Sequence, residues 1–279
     1  MLVLLCSKLR LTCRIVSPNN FWLASVLALL ISGIAFAGKD QKPVGQVQPK
    51  VLSWTKTNES PHDPSAFTQG FEVWDKQYFL ESTGHYGKSE IRRVDRATGV
   101  VKSRESLDKS YFGEGVTRHG EDVFQLTWRE GLILRWGFSE KSGFDLKSTS
   151  FWVGEGWGLA AGGGSLWVSN GSSGLIEVDM KTLKPKKTIK VTLAGQEFDR
   201  LNELEWVDGK IMANVYMSST VVVINPKTGV IDSMIDLSTL VPSGLSIEAV
   251  ANGLAWDKTK RRLYVTGKYW PKVFELSLK

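Results

Sequence analysis

The sequence predicts an all-β fold, a five-bladed β-propeller closed into a ring by its own N-terminal strand. Three observations carry this expectation. From Phe67 to the C-terminus, short runs rich in β-branched and aromatic residues alternate with Gly, Asn, Asp and Pro turn signals. No stretch after the first 37 residues keeps a helical apolar period over three turns. Finally, Gln69-Gly70-Phe71, Glu114-Gly115-Val116, Trp157-Gly158-Leu159, Asn202-Glu203-Leu204 and Asn252-Gly253-Leu254 recur with their central residues 45, 43, 45 and 50 positions apart. Three or four strands in a period of about 45 residues is the pattern of a propeller blade. A two-sheet sandwich would hold the same strands but gives no reason for the repeat.

The first 37 residues read as a signal peptide. Lys8, Arg10 and Arg14 make a basic start, Phe21 to Ile34 an apolar run, and Ala35-Phe36-Ala37 a small-x-small cleavage site before Gly38. A retained membrane anchor is the competing reading, but the run is short of the roughly 20 apolar residues that span a bilayer. Either way the working part of the chain lies outside the cytoplasm, secreted or periplasmic. Both cysteines, Cys6 and Cys13, fall inside the leader. The mature chain therefore has no disulfide, no Cys-ligated metal and no cysteine nucleophile. Removing the leader lowers the formal charge from +6 to +3, a mild excess that does not make a nucleic-acid footprint. About 240 residues remain, enough for one domain, and a monomer is expected.

Residues 38–50 are polar, contain two prolines and read as a flexible lead-in, leaving the propeller over 51–279. Val51 to Thr55 looks like a strand. Each later unit has a second strand 10 to 15 residues beyond its first: Phe79 to Thr83, Phe124 to Trp128, Leu166 to Asn170, Met212 to Tyr216 and Tyr264 to Lys268. Third strands follow at Ile91 to Asp95, Leu175 to Asp179 and Thr220 to Asn225. The turns between them, including Val207-Asp208-Gly209-Lys210 and Asn225-Pro226-Lys227-Thr228-Gly229, are those of antiparallel hairpins. The fifth unit ends early, after Val273 to Leu278. The strand at Val51 to Thr55 is expected to complete it, so that no sheet edge is left open.

In a propeller the innermost strands line a central channel, so equivalent positions in five blades face one another. Here the opening positions of the first strands are Gln69, Glu114, Trp157, Asn202 and Asn252. The second strands end on Thr83, Trp128, Asn170, Tyr216 and Lys268. One carboxylate, one ammonium, several amides and three aromatics at one mouth describe a small-molecule or chain-end site, not a packed core. The three histidines, His62, His85 and His119, have no ligand spacing. Gly154-x-Gly156-x-Gly158 lacks the helix a nucleotide loop needs, and no serine sits in a nucleophile elbow.

These residues resemble a known family. Phe67-Thr68-Gln69-Gly70, Glu81-Ser82-Thr83-Gly84-x-Tyr86-Gly87, Tyr111-Phe112-Gly113-Glu114-Gly115, Gly156-Trp157-Gly158-Leu159, Leu201-Asn202-Glu203-Leu204-Glu205, Ala213-Asn214-Val215, Asn252-Gly253-Leu254-Ala255 and Thr266-Gly267-Lys268-x-Trp270-Pro271 are similar to the motifs of the plant-type glutaminyl-peptide cyclotransferases, in order from about Val51 to the C-terminus. The resemblance implies a five-bladed propeller, secretion, and conversion of N-terminal glutamine of peptides to pyroglutamate with loss of ammonia and no metal or other cofactor. It implies Glu114 as the acid/base residue, with Asn202 and Lys268 beside it. Gln69, Phe67, Phe112, Trp128, Trp157 and Tyr216 would bind substrate. Tyr216 stands where the family has Trp. A metal-dependent lactonase-type propeller, with a cation on Glu114, Asn202 and Asn252, and a non-catalytic peptide-binding propeller are the alternatives.

The residue types suit that reaction. The substrate's α-amine, with a reference pKa of about 7.7–8.0, must lose a proton before it attacks its own side-chain amide. One carboxylate can take that proton and return it to the leaving nitrogen. Trp128 and Trp157 would raise the pKa of Glu114 by desolvation. Asn202 or Lys268 as an oxyanion donor is worth about 2.7–4 kcal/mol.

Overall fold

Five sheets, blades 1 to 5 in chain order, each antiparallel among its own hairpin strands, and one small two-stranded sheet, Thr192–Leu193 with Gln196–Glu197, lie in residues 48–279, the part of the chain that the computed structural model describes. The expected signal peptide with its cleavage site at Ala37/Gly38, and nearly all of the 38–50 lead-in, lie outside the described residues. The innermost strands are Thr68–Val73, Gly113–His119, Leu159–Gly162, Leu201–Val207 and Ala251–Asp257. Each neighbours the next and the fifth neighbours the first, so the ring is closed. The only helical element among the described residues is the 3-10 turn Ser238–Leu240.

Burial explains why the strands differ in sequence from axis to rim. An innermost strand has a blade on each side, so Gly113–His119 is buried over its first five residues. Outer strands such as Pro185–Lys190 face solvent along most of their length and carry Lys and Thr, which discourages edge-to-edge pairing. The apolar cores sit in the seams between blades. Blades 1 and 2 meet at Leu80, Val116 and Trp136; blades 2 and 3 at Phe124, Trp152 and Leu166. Blades 3 and 4 meet at Trp167, Leu204 and Ile211; blades 4 and 5 at Met212, Leu254 and Trp270. Phe71 and Phe79 pack on Ala255 and Tyr264 across the last seam. Five separate seams leave the axis free of aliphatic filling.

Ring closure departs from the expected Val51–Thr55 strand. Lys50 and Val51 instead pair in parallel with Ser233 and Met234 on the rim of blade 4. The chain then crosses the seam, and Trp54–Pro61 runs antiparallel to Lys272–Leu278 as the fourth strand of blade 5. The sequence Lys56-Thr57-Asn58-Glu59-Ser60 has no apolar alternation because this strand is a solvent-facing rim, so its pairing leaves no trace in the local pattern. A buried clasp follows it. His62 lies with Nδ1 2.7 Å from the Trp270 carbonyl and Nε2 2.9 Å from Glu81 Oε1. Both partners are acceptors, so both ring nitrogens carry protons. Burial opposes that charge, but Glu81 outweighs it and raises the His62 pKa. Glu81 in turn accepts two hydrogen bonds from Arg92.

Candidate active site

Four of the five inner hairpins carry an irregularity at the same place. Their pairing register shifts between Thr68 and Gly70, Gly113 and Val116, Leu201 and Leu204, and Ala251 and Leu254. A bulge of this kind re-aims a side chain out of the alternation of its strand. The residues inside the shifts are Gln69, Glu114, Asn202 and Asn252, so the bulges coincide with the recurring motif. Glycine serves the same geometry. A Cβ on Gly115 would sit 2.4 Å from the amide nitrogen of Leu159, whereas hydrogen lets the Gly115 N–H reach the Trp157 carbonyl at 2.7 Å.

At one mouth of the channel the structure brings together Phe67, Gln69, Phe112, Glu114, Trp128, Trp157, Asn202, Tyr216 and Lys268 around a single cavity of about 210 Å³. Glu114 accepts a hydrogen bond from Gln69 Nε2 at 2.9 Å. Gln69 is itself oriented by Asn252, whose Nδ2 donates to Gln69 Oε1 at 3.1 Å and to the Thr68 carbonyl at 2.9 Å. The Lys268 ammonium stands 4.3 Å over the Phe67 ring and 5.6 Å from that of Tyr216. Phe67 meets Phe112, Phe112 meets Trp128, and Trp157 meets Tyr216, each edge to face, an arrangement worth roughly 0.5–1.5 kcal/mol per pair beyond area burial.

The turns that carry the outer wall are locally strained. His85, Met217 and Tyr269 adopt left-handed backbone, with φ of 91°, 60° and 61°, a region that non-glycine residues enter rarely. Hydrogen bonds hold two of them: Tyr269 N–H donates to the Ala66 carbonyl, and its hydroxyl lies 2.7 Å from His85 Nε2. His85 packs against the back of Phe67 with ring centres 4.2 Å apart.

Burial governs the electrostatics. Glu114 is 4% exposed, and desolvation raises its pKa well above the ordinary carboxylate value, with Lys268 opposing and Glu155 and Glu130 reinforcing. Lys268 moves the other way. Desolvation lowers it to about 8, against the pull of Glu114 and Glu248. A carboxylate and an ammonium are both pushed towards neutrality in one aromatic cup, which suits groups that exchange protons near neutral pH.

Of the recurring positions, Thr83, Asn170 and Asn252 do not line the cavity. Thr83 Oγ1 accepts from the Glu90 amide, and Asn170 Oδ1 accepts from Ser172. Asn252 is fully buried behind Gln69. The sequence pattern also passed over Glu155, which accepts hydrogen bonds from two cup indoles. Its position in Gly154-Glu155-Gly156-Trp157 copies the glycine-flanked carboxylate of Glu114 and was the available signal.

The axial bulges and the second-strand ends together gather one buried carboxylate, one depressed ammonium and an aromatic cup, the features of an enzyme site for a small group or chain end. Comparison with known proteins narrows the class. A family model described as glutamine cyclotransferase matches residues 25–278. The chain is 42% identical to an Arabidopsis thaliana glutaminyl-peptide cyclotransferase over 284 residues, covering 95% of this chain and 86% of that one. It also matches the crystal structure of Myxococcus xanthus glutaminyl cyclase with a TM-score of 0.77 and 35% identity, over 83% of this chain and 99% of the other. The chain belongs to the glutamine cyclotransferase family.

Proposed function

We propose that this protein converts the N-terminal glutamine of peptides to pyroglutamate, releasing ammonia, with Glu114 as the proton carrier. The observation that carries the reading is a fully buried carboxylate at the floor of a cup that opens to solvent. The substrate arrives as an ammonium and meets Glu114 as its carboxylate. Burial disfavours an ammonium–carboxylate pair and favours neutral amine with carboxylic acid. Those are the reactive forms of both groups, an amine able to attack and an acid able to donate.

The amine nitrogen adds to the side-chain amide carbon, closing the five-membered ring. Asn202 Nδ2 and the Lys268 ammonium are the donors available to the oxygen that becomes negative. As the acid, Glu114 gives its proton to the amide nitrogen, which leaves as ammonia while the carbonyl reforms, and takes in its place the proton released by the attacking nitrogen. Gln69, fixed by Asn252, holds the Glu114 carboxyl in orientation. The aromatic walls hold a flexible side chain folded onto its own amine, and orientation supplies much of the rate of such a closure.

Purified protein given a peptide that begins with glutamine should release one ammonia per peptide, and the same peptide with an acetylated α-amine should release none. Turnover of the acetylated peptide would refute the mechanism. Activity should survive a chelator; its loss would favour the cation-dependent reading. The leader reading adds that the exported protein begins at Gly38, which N-terminal sequencing checks.

A further inference from the structure

Trp128 and Trp157 stand on different blades, and backbone bonds place only their main chains: Trp128 N–H donates to the Phe112 carbonyl, Trp157 N–H to that of Ser169. Neither bond sets the rotation of an indole, whose single polar atom is one N–H donor. Glu155 supplies what the backbone does not. Its Oε2 accepts Nε1–H of Trp128 at 2.9 Å and Nε1–H of Trp157 at 3.0 Å. Its Oε1 accepts Nε–H of Arg129 at 3.0 Å. The Arg129 guanidinium lies 3.8 Å over the Trp128 ring, so that indole is held from its edge and its face. We propose that Glu155 is a positioning residue for the cyclisation, fixing both indoles so that together they fold the glutamine side chain back onto its α-amine.

One oxygen shared by two walls makes their orientations dependent on each other. If each indole had its own partner, loss of one would leave the other in place; here removal of Glu155 takes the N–H acceptor from both and leaves them only their aromatic and guanidinium contacts. The carboxylate has a second reach. Burial opposes its charge, but the indole and Arg129 hydrogen bonds outweigh that and keep its pKa low, so it stays negative. That charge faces Glu114 together with Glu130, against Lys268, and adds to the upward shift of the Glu114 pKa.

The proposal rests on the cyclisation reading for its kinetics, and NMR tests its geometry independently of that reading. With indole signals assigned by Trp128→Phe and Trp157→Phe, the wild-type Nε1–H protons of both residues should exchange slowly although neither side chain is buried. Glu155→Ala should move both indole signals together and lower kcat about 10- to 100-fold, with a smaller change in KM. Glu155→Gln keeps one carbonyl for the two indoles, and the half-exposed Arg129 can turn to water. It should therefore restore the indole signals and most of kcat, while the acid limb of the pH profile moves to lower pH because Glu114 has lost a negative neighbour. Fast exchange of either indole in the wild type, or wild-type kcat and unmoved signals in Glu155→Ala, would overturn the proposal. Should Glu155→Ala fail to fold, the wild-type exchange rates and the limb shift of Glu155→Gln decide it. A wild-type protein that releases no ammonia would sink the cyclisation reading instead, and the exchange rates would still report on Glu155.

Discussion

Replacing Glu114 by Gln tests the centre of the site with little steric change. The new side chain has the same shape, and its carbonyl can still accept from Gln69 Nε2, which now donates to Glu114 at 2.9 Å. What disappears is the proton carrier. General acid/base catalysis contributes about 10²–10⁴-fold, which is about 3–5 kcal/mol of barrier at 1.36 kcal/mol per tenfold. Ammonia release from a glutamine peptide should fall by that factor with KM nearly unchanged. Stability should not fall with it. The folded pKa of Glu114 is raised, so the folded state binds a proton that the unfolded state gives up above its ordinary pKa near 4.5. Wild-type stability therefore declines as pH rises from there through the folded value. The amide does not ionise, so Glu114→Gln should match the wild type in thermal unfolding at pH 4 and exceed it increasingly towards pH 8. A variant that turns over at the wild-type rate, or that melts well below the wild type at pH 8, would refute the reasoning.

Lys268→Met keeps the apolar stem over Phe67 but removes the ammonium; kcat should drop about 10²–10³-fold if it is an oxyanion donor, and an alkaline limb near pH 8, the value to which burial lowers it, should vanish from the profile. Gly115→Ala would place a methyl 2.4 Å from Leu159 N and 2.7 Å from the Trp157 carbonyl; overpacking of this kind costs about 1–3 kcal/mol, read by denaturant unfolding, and because Trp157 must move, kcat should fall too. Glu72 is pushed up to about 7 by burial, against hydrogen bonds from Thr117 and the Arg118 amide. Its folded pKa is raised, so stability present at pH 4.5 is lost as pH climbs through 7. Glu72→Gln should remove that loss, worth about 3 kcal/mol at 1.36 kcal/mol per unit, and raise the melting temperature at pH 8 with little effect at pH 4.5.

The parts of the fold and site that were legible in the sequence share one property: they repeat. Five motifs at nearly even spacing, four of them glycine-bearing, encode five bulged or tightly packed inner strands, so the repeat located both the blades and the residues re-aimed towards the axis. Lys268, Trp128 and Tyr216 came with it, as ends of the second strands. Contacts that occur once were not legible. The pairing of Trp54–Pro61 with Lys272–Leu278 joins residues more than two hundred positions apart, and a polar rim strand has no local pattern to betray it. Glu155 reaches Trp128 across 27 positions, and although it copies the glycine-flanked carboxylate of Glu114, it stands two residues off the register of the repeat. Asn252 carries the motif, but its side chain turns to Gln69 and away from the cavity. A bulge re-aims a residue without deciding how far along the axis its side chain reaches.

Blade 4 is the exception within the repeat, and it shows how the channel beneath the cup is closed. Where the other blades have Gly70, Gly115, Gly158 and Gly253, blade 4 has Glu203. The inner edges of innermost strands present N–H groups that no further strand can pair, and buried ones need an acceptor. Glu203 spans the axis, its Oε1 accepting from Phe71 N–H of blade 1 at 3.3 Å and its Oε2 from Leu254 N–H of blade 5 at 3.0 Å. Glu205 accepts from Trp256 N–H and Glu72 from Arg118 N–H. Burial raises all three pKa values, which favours protonated carboxyls that still accept through their carbonyl oxygens. These inner-edge N–H groups are thus satisfied without a stack of negative charges below the site. Glu114 then responds to Lys268, Glu155 and Glu130, the charges at its own mouth, and the proton it carries is set by the cup that holds the substrate.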